Sequence, residues 1–350
     1  TTPGTQRIAT RMADDLLAVA HSRERALAAQ RRYRIGKYEF REPDHAQIQR
    51  WARMLGIGPE AVVKRLEKSR KKDLGNEVDV NFRVHDGHIV SLAWDFDKFP
   101  LTDWAWGDGL KIERLGINNP KNGHLPPLPR CLHGLFCNKC ALTVLDLTPV
   151  PGLTTVDCSW NQLTAIDLTP VPGLRSLGCE RNRLTALDLT PVPKLTKLDC
   201  GENQLTHLDL TPVPGLTELW CDDNGLTTLD LTPVPGLILL DCSGRPFGFL
   251  HFPASRFITP NVHLNRLTSL NLTSVQGLKK LYCSSTGLTS LNLTPVPGLT
   301  ELRCQHNHIA SLDLTPVPGL TKLECSGNQL IAIDLTPVPG LTKLECSGNQ

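Results

Sequence analysis

The sequence is short of aromatic residues and methionine: of 350 residues, 5% are Phe, Trp or Tyr and two are Met. That argues against one large globular centre, because aromatic side chains carry much of the buried area of such cores. No apolar run reaches the roughly eighteen residues of a membrane-spanning helix. Net charge is small as well, +2 at pH 7 with His neutral, so no chain-wide attraction to a polyanion is expected. The total hides a split: residues 1–73 hold 17 Lys and Arg against 9 Asp and Glu, the remainder 20 against 26. Two regions with different surfaces follow. What abounds is 27 Pro, 27 Gly and 12 Cys, the composition of many small coils.

Those coils have a beat. Cys158, Cys179, Cys200, Cys221 and Cys242, then Cys283, Cys304, Cys325 and Cys346, recur in a frame that reads L-R-S-L-G-C-E-R-N-R-L over Leu174 to Leu184. A period in the low twenties marks a unit too small to bury its own apolar face, stable only when its neighbours stack on it. In parallel stacked strands the nine cysteines point the same way, which suits a ladder of buried free thiols and a reducing, cytoplasmic compartment.

The frame L-x-x-L-x-C-x-x-N-x-L resembles the leucine-rich repeat, with Cys at the third apolar position. The resemblance covers about three quarters of the chain and implies an α/β solenoid: a horseshoe with a parallel inner sheet of about 13 strands, preceded by a small α-helical N-terminal region. The strand segments begin near 90, 113, 133, 154, 175, 196, 217, 238, 258, 279, 300, 321 and 342. Residues 243–262 read as a degenerate coil of this series. The other half of each unit, L-T-P-V-P-G-L, reads as an extended convex segment, since Pro fixes φ and offers no N–H. The asparagines three residues after most ladder cysteines, from Asn161 to Asn349, are expected to bond backbone groups of their own and adjacent coils.

Three regions are expected: a basic helical region, 1–77; a β-hairpin cap and first strand, 78–94, turning at Asp86-Gly87; and the solenoid, 95–350, truncated or self-associating through an uncapped C-terminal edge. Within the first, residues 5–33 read as one helix broken by Gly36. Asp44 is the expected N-cap of a second, with Ile48, Trp51, Ala52 and Leu55 as its apolar stripe, and a third runs from Glu60 to about Lys71. This pair is similar in outline to a DNA-binding helix-turn-helix. Lys64, Arg65, Lys68, Arg70, Lys71 and Lys72 are the candidate phosphate contacts, against the plainer alternative of a solvated basic face on a helical cap.

Cys131, His133, Cys137 and Cys140, with His124 nearby, have zinc-like spacing. Cys137 falls on the ladder position and Cys140 on that of the asparagine, so buried structural thiols are expected and neither metal nor cofactor is called for. His124 to Pro129, H-L-P-P-L-P, resembles the short repeats of secreted bacterial effectors, including novel E3 ubiquitin ligases. No region here matches that family's catalytic domain.

Because the scaffold repeats, the informative residues are those that change on the concave face: Asp157, Gly178, Asp199, Trp220, Asp241, Tyr282, Arg303, Glu324 and Glu345. With Glu180, Glu202, Glu218, Asp222 and Asp223 they make an acidic patch around Trp220, with Trp160 at its margin and Tyr282 and Arg303 farther along. The expected function is non-catalytic recognition of a protein partner carrying a basic or mixed-charge segment, with Trp220 and Tyr282 as anchors. Its alternatives are the recognition part of a bacterial effector ubiquitin ligase acting in a host cytosol, and nucleic-acid binding through residues 44–72.

Overall fold

A computed structural model describes residues 31–72, 79–96, 109–118, 123–244 and 264–350, with Ser22, Trp106 and Pro120 besides. The N-terminal part opens on a hairpin, β1 (Tyr33–Ile35) and β2 (Tyr38–Phe40), turning at Gly36. Most of the expected helix over 5–33 lies outside the described residues, and its last position, Tyr33, is already strand. Helix α1 (Glu42–Leu55) follows, then α2 (Pro59–Lys68). The apolar stripe behaves as its spacing demands: Ile48, Trp51, Ala52, Val62, Val63 and Leu66 are all buried.

Two expectations fail here. Arg41, not Asp44, stands at the N-cap of α1. Asp44 is fully buried one turn in, where its carboxylate accepts from His88 Nδ1 at 2.7 Å and from the Ile89 N–H at 2.9 Å. The side chain that could have capped the helix ties it to the sheet instead. Helix α2 also stops at Lys68, and Arg70–Lys72 is strand β3, antiparallel to β4 (Asp79–Asn81). Lys64, Arg65 and Lys68 therefore stand on a helix and Arg70, Lys71 and Lys72 on a strand, so the six do not form one basic helical face.

The main sheet has thirteen strands. β5 (Arg83–His85) is antiparallel to β6 (His88–Asp95) about the expected turn, where Asp86 and Gly87 both have positive φ, 46° and 77°. Arg32 and Arg41 hold Asp86 at 2.7 and 2.6 Å. From β6 onward the pairing is parallel: β7 (Arg114–Asn118), β8 (Gly134–Phe136), β9 (Thr155–Asp157), β10 (Ser176–Gly178), β11 (Lys197–Asp199), β12 (Glu218–Trp220), β13 (Leu239–Asp241), β14 (Lys280–Tyr282), β15 (Glu301–Arg303), β16 (Lys322–Glu324) and β17 (Lys343–Glu345). One hydrophobic core runs unbroken from Ile35 to Val338.

Each coil is held by the same three devices. The apolar frame is buried, with Leu174, Leu177, Cys179 and Leu184 at 1% exposure or less, except in the last coil, where Leu344 and the ladder thiol of Cys346 are exposed because no further coil stacks on them among the described residues. The asparagine fills its turn: Asn182 Nδ2 donates to the Cys158 and Cys179 carbonyls at 3.1 and 2.9 Å, and its Oδ1 accepts from the Leu163 N–H at 3.0 Å. The residue before it takes left-handed backbone, as Lys139, Trp160, Arg181, Glu202, Asp223, Ser285 and His306 do, with φ between 46° and 58°. Cys140, in the asparagine's place, donates its thiol to the Ile117 carbonyl at 3.2 Å.

The convex half departs from expectation. It is two successive turns, not an extended segment: Val150 N–H donates to the Leu147 carbonyl at 3.1 Å, and Leu153 N–H to that of Val150 at 3.2 Å, a pattern repeated along the array. Pro149 and Pro151 fall where no donor is needed, and Val150 is fully buried.

The strand expected near 258 lies outside the described residues, and the place it would take is closed, because β13 pairs directly with β14, Leu239 with Lys280. Asn265 does the work of the asparagine three residues after Cys242, donating to the Cys221 and Cys242 carbonyls at 2.9 and 3.0 Å. Residues 245–264 are therefore an insertion within one coil. The thirteenth strand is the antiparallel β5.

Candidate binding surface on the concave sheet

In each short strand the middle leucine or valine points into the core, so the residues on either side of it project from the concave face. Register then stacks these side chains rung by rung. Asp199 pairs with Trp220 and Trp220 with Asp241, and two residues farther along β12 Asp222 lies on the same face. The carboxyl of Asp222 occupies the space that a Cβ on Gly201 would take. Gly178, one rung before Asp199, has no side chain, which leaves a hollow lined by Asp157, Gly178, Lys197, Asp199 and Trp220.

The carboxylates here are crowded and short of cations. Burial, reinforced by Glu180, pushes Asp199 up to about 7. Burial, then the neighbouring Asp241 and Asp199, holds Asp222 well above the usual carboxylate range. Burial also raises Asp241, although Ser243 N–H donates to it at 3.0 Å. Lys197, the amine nearest the hollow, is engaged by Glu218 at 2.7 Å.

The remaining expected site residues divide. Trp160, 37% exposed, is stacked by Arg181 at 3.7 Å and approached by Lys139 at 4.5 Å from the ring centroid, and Arg181 Nη2 reaches Glu202 at 2.5 Å. Asp223 is buried in its turn next to Asp222, whose carboxyl its charge helps to raise. Tyr282 is half-covered by Arg303 at 4.7 Å, and burial and Glu301 push its hydroxyl up to about 12. Arg303 in turn bonds Glu301 at 2.9 Å and approaches Glu324 at 3.5 Å. The structure thus brings together Asp199, Trp220, Asp222 and Asp241, with Glu218 beside them, and sets Trp160, Glu202, Asp223, Tyr282 and Arg303 in separate contacts. Sequence reading placed Gly178 on the concave face but saw no hollow there, and it gave no role to Lys197. The signal was a glycine in a column otherwise filled by large side chains.

No protein-family model and no curated protein matches this sequence. Solved structures do. YopM from Yersinia enterocolitica is 26% identical with a TM-score of 0.53, over 70% of this chain and 50% of that one. The leucine-rich-repeat ectodomain of a plant membrane receptor kinase from Arabidopsis thaliana, solved in complex with Casparian strip integrity factor 2, is 21% identical with a TM-score of 0.52, over 68% and 33%. The functional domain of InlJ from Listeria monocytogenes, described as including a cysteine ladder, is 33% identical with a TM-score of 0.46, over 59% and 47%. The chain spans about half the length of the two bacterial structures. Among the described residues no helix is long and apolar enough to cross a membrane. With a parallel sheet of one short strand per coil and a 21-residue beat, this chain has the leucine-rich-repeat fold, similar to that of the bacterial protein YopM.

Proposed function

We propose that the chain is a non-catalytic recognition module that binds a protein partner on its concave face, through a basic or mixed-charge segment laid across β11 to β13. One observation carries this reading: Asp199, Asp222 and Asp241 crowd around Trp220 with no Lys or Arg of the described residues in ion-pair contact with any of the three. Desolvated like charges are costly to a fold. A repeating scaffold that places them side by side gains if a positively charged partner completes them. The face is open, and its carboxylates lack the paired, separated environments of an acid and a base. The test is affinity capture with the wild type beside a Trp220→Ala, Asp222→Lys, Asp241→Lys variant. Loss of the same captured protein supports the site, and undiminished capture sinks it.

A further inference from the structure

Four aromatic side chains stand along the strand ends and turns of the coils, at 136, 160, 220 and 282, and three are covered by an arginine of the chain itself. Arg114 lies 4.6 Å from the Phe136 ring centroid, Arg181 3.7 Å from that of Trp160 and Arg303 4.7 Å from that of Tyr282. In the last two cases the order along the solenoid is the same: aromatic, arginine, carboxylate on successive rungs, as 160, 181, 202 and as 282, 303, 324. Trp220 is the exception. It has carboxylates on both flanking rungs and a third at Asp222, yet among the described residues no cation lies over its ring, and no hydrogen bond reaches the Asp222 carboxyl. Beside it is the hollow lined by Asp157, Gly178, Lys197 and Asp199, whose floor at Gly178 is already tight, since a Cβ there would press on Asp157 Oδ1 and Ser159 Oγ at 3.3 Å.

We propose that this hollow is a subsite for one arginine side chain of the partner, its guanidinium laid on the Trp220 indole and hydrogen-bonded by the Asp199 carboxylate. The inference rests on the concave-face reading above and gives it a chemistry. Arginine fits better than lysine because a planar guanidinium can stack on an indole and present a fork of N–H donors to a carboxylate at once. The chain makes this arrangement twice with its own arginines. Gly178 supplies the room and Glu218 keeps Lys197 occupied.

The test is selection of a displayed random dodecapeptide library on the immobilised full chain, followed by affinities of synthetic copies of the selected peptides. The expected result is one shared arginine, whose replacement by citrulline weakens binding at least about tenfold and by lysine less. Gly178→Leu and Asp199→Asn, each checked for an unchanged melting curve, should weaken the arginine peptide at least about tenfold and leave the citrulline peptide unchanged. Peptides that lose binding on Trp220→Ala but share no arginine, or that ignore both Gly178→Leu and Asp199→Asn, overturn the subsite and leave the concave-face reading standing. Peptides indifferent to Trp220→Ala and Asp241→Lys, or no selection above bare support, overturn both.

Discussion

The middle of the concave face and its C-terminal end treat negative charge in opposite ways. Along β15–β17 the buried Glu301 and Glu324 are enclosed by Arg303, Lys322 and Lys343, with Lys343 Nζ at 2.5 Å from Glu324. Burial alone would raise the Glu324 carboxyl, but Lys343, Arg303 and Gln305 outweigh it and hold it below the usual range. Along β11–β13, Asp199, Asp222 and Asp241 are raised by burial, and among the described residues none of them is in ion-pair contact with a Lys or Arg. Both stretches use one backbone, one register and one core. The difference therefore lies in the variable side chains: among the described residues the first stretch is ion-paired within the chain, whereas the second is not.

The contrast breaks most sharply in binding. The Trp220→Ala, Asp222→Lys, Asp241→Lys variant should lose at least about a hundredfold in affinity for the captured partner, whereas Arg303→Met should stay within about threefold; surface plasmon resonance on the two variants decides it. Stability against pH should differ in sign. Asp199 has a folded value near 7, above the roughly 3.9 of an unfolded chain. Its contribution is thus fully present below about pH 4 and lost as pH rises through 7, on the order of 2 to 4 kcal/mol. Glu324, held low, contributes above its unfolded value and loses that as pH falls. Hydrogen exchange between pH 5 and 8, corrected for intrinsic rates, should show protection of the Leu198 amide falling as pH rises while that of Leu323 stays level and falls only below about pH 4.5, and a shared slope would refute the contrast. Arg303→Met, which leaves Glu301 and Glu324 only Lys322 and Lys343, should cost about 1 to 3 kcal/mol in urea unfolding, with Asp222→Asn neutral or slightly stabilising. The smallest effect concerns the turns. Gly327 has φ of 67°, and a Cβ there would stand 2.6 Å from His306 Nδ1, so Gly327→Ala should cost about 1 to 2 kcal/mol, while His306→Gly one rung earlier should gain up to about 1 kcal/mol.

The solenoid was legible because its physics is repeated: leucine, thiol and asparagine each answer one local demand, and nine ladder cysteines state it nine times. The cap was less so. Nothing in the local pattern says that Asp44 serves His88 and Ile89, 44 and 45 residues away, or that the basic run after Lys68 becomes a strand. The acidic patch was visible as composition, but its pairing was not. Glu301 and Asp199 look alike in sequence, and only register reveals that the one is ion-paired while, among the described residues, the other is not, its neighbour Lys197 being taken by Glu218. The insertion was misread because its length nearly equals a coil.

That near-coincidence has a further use. Cys242, Ser243 and Gly244 joined directly to Asn265, Arg266 and Leu267 would spell C-S-G-N-R-L, one residue from the C-S-G-N-Q-L at Cys325–Leu330. The junction is a suture: the stack closes over it by pairing β13 with β14 and anchoring Asn265. A chain built this way can carry a stretch of unrelated sequence between two coils while every later coil keeps its phase.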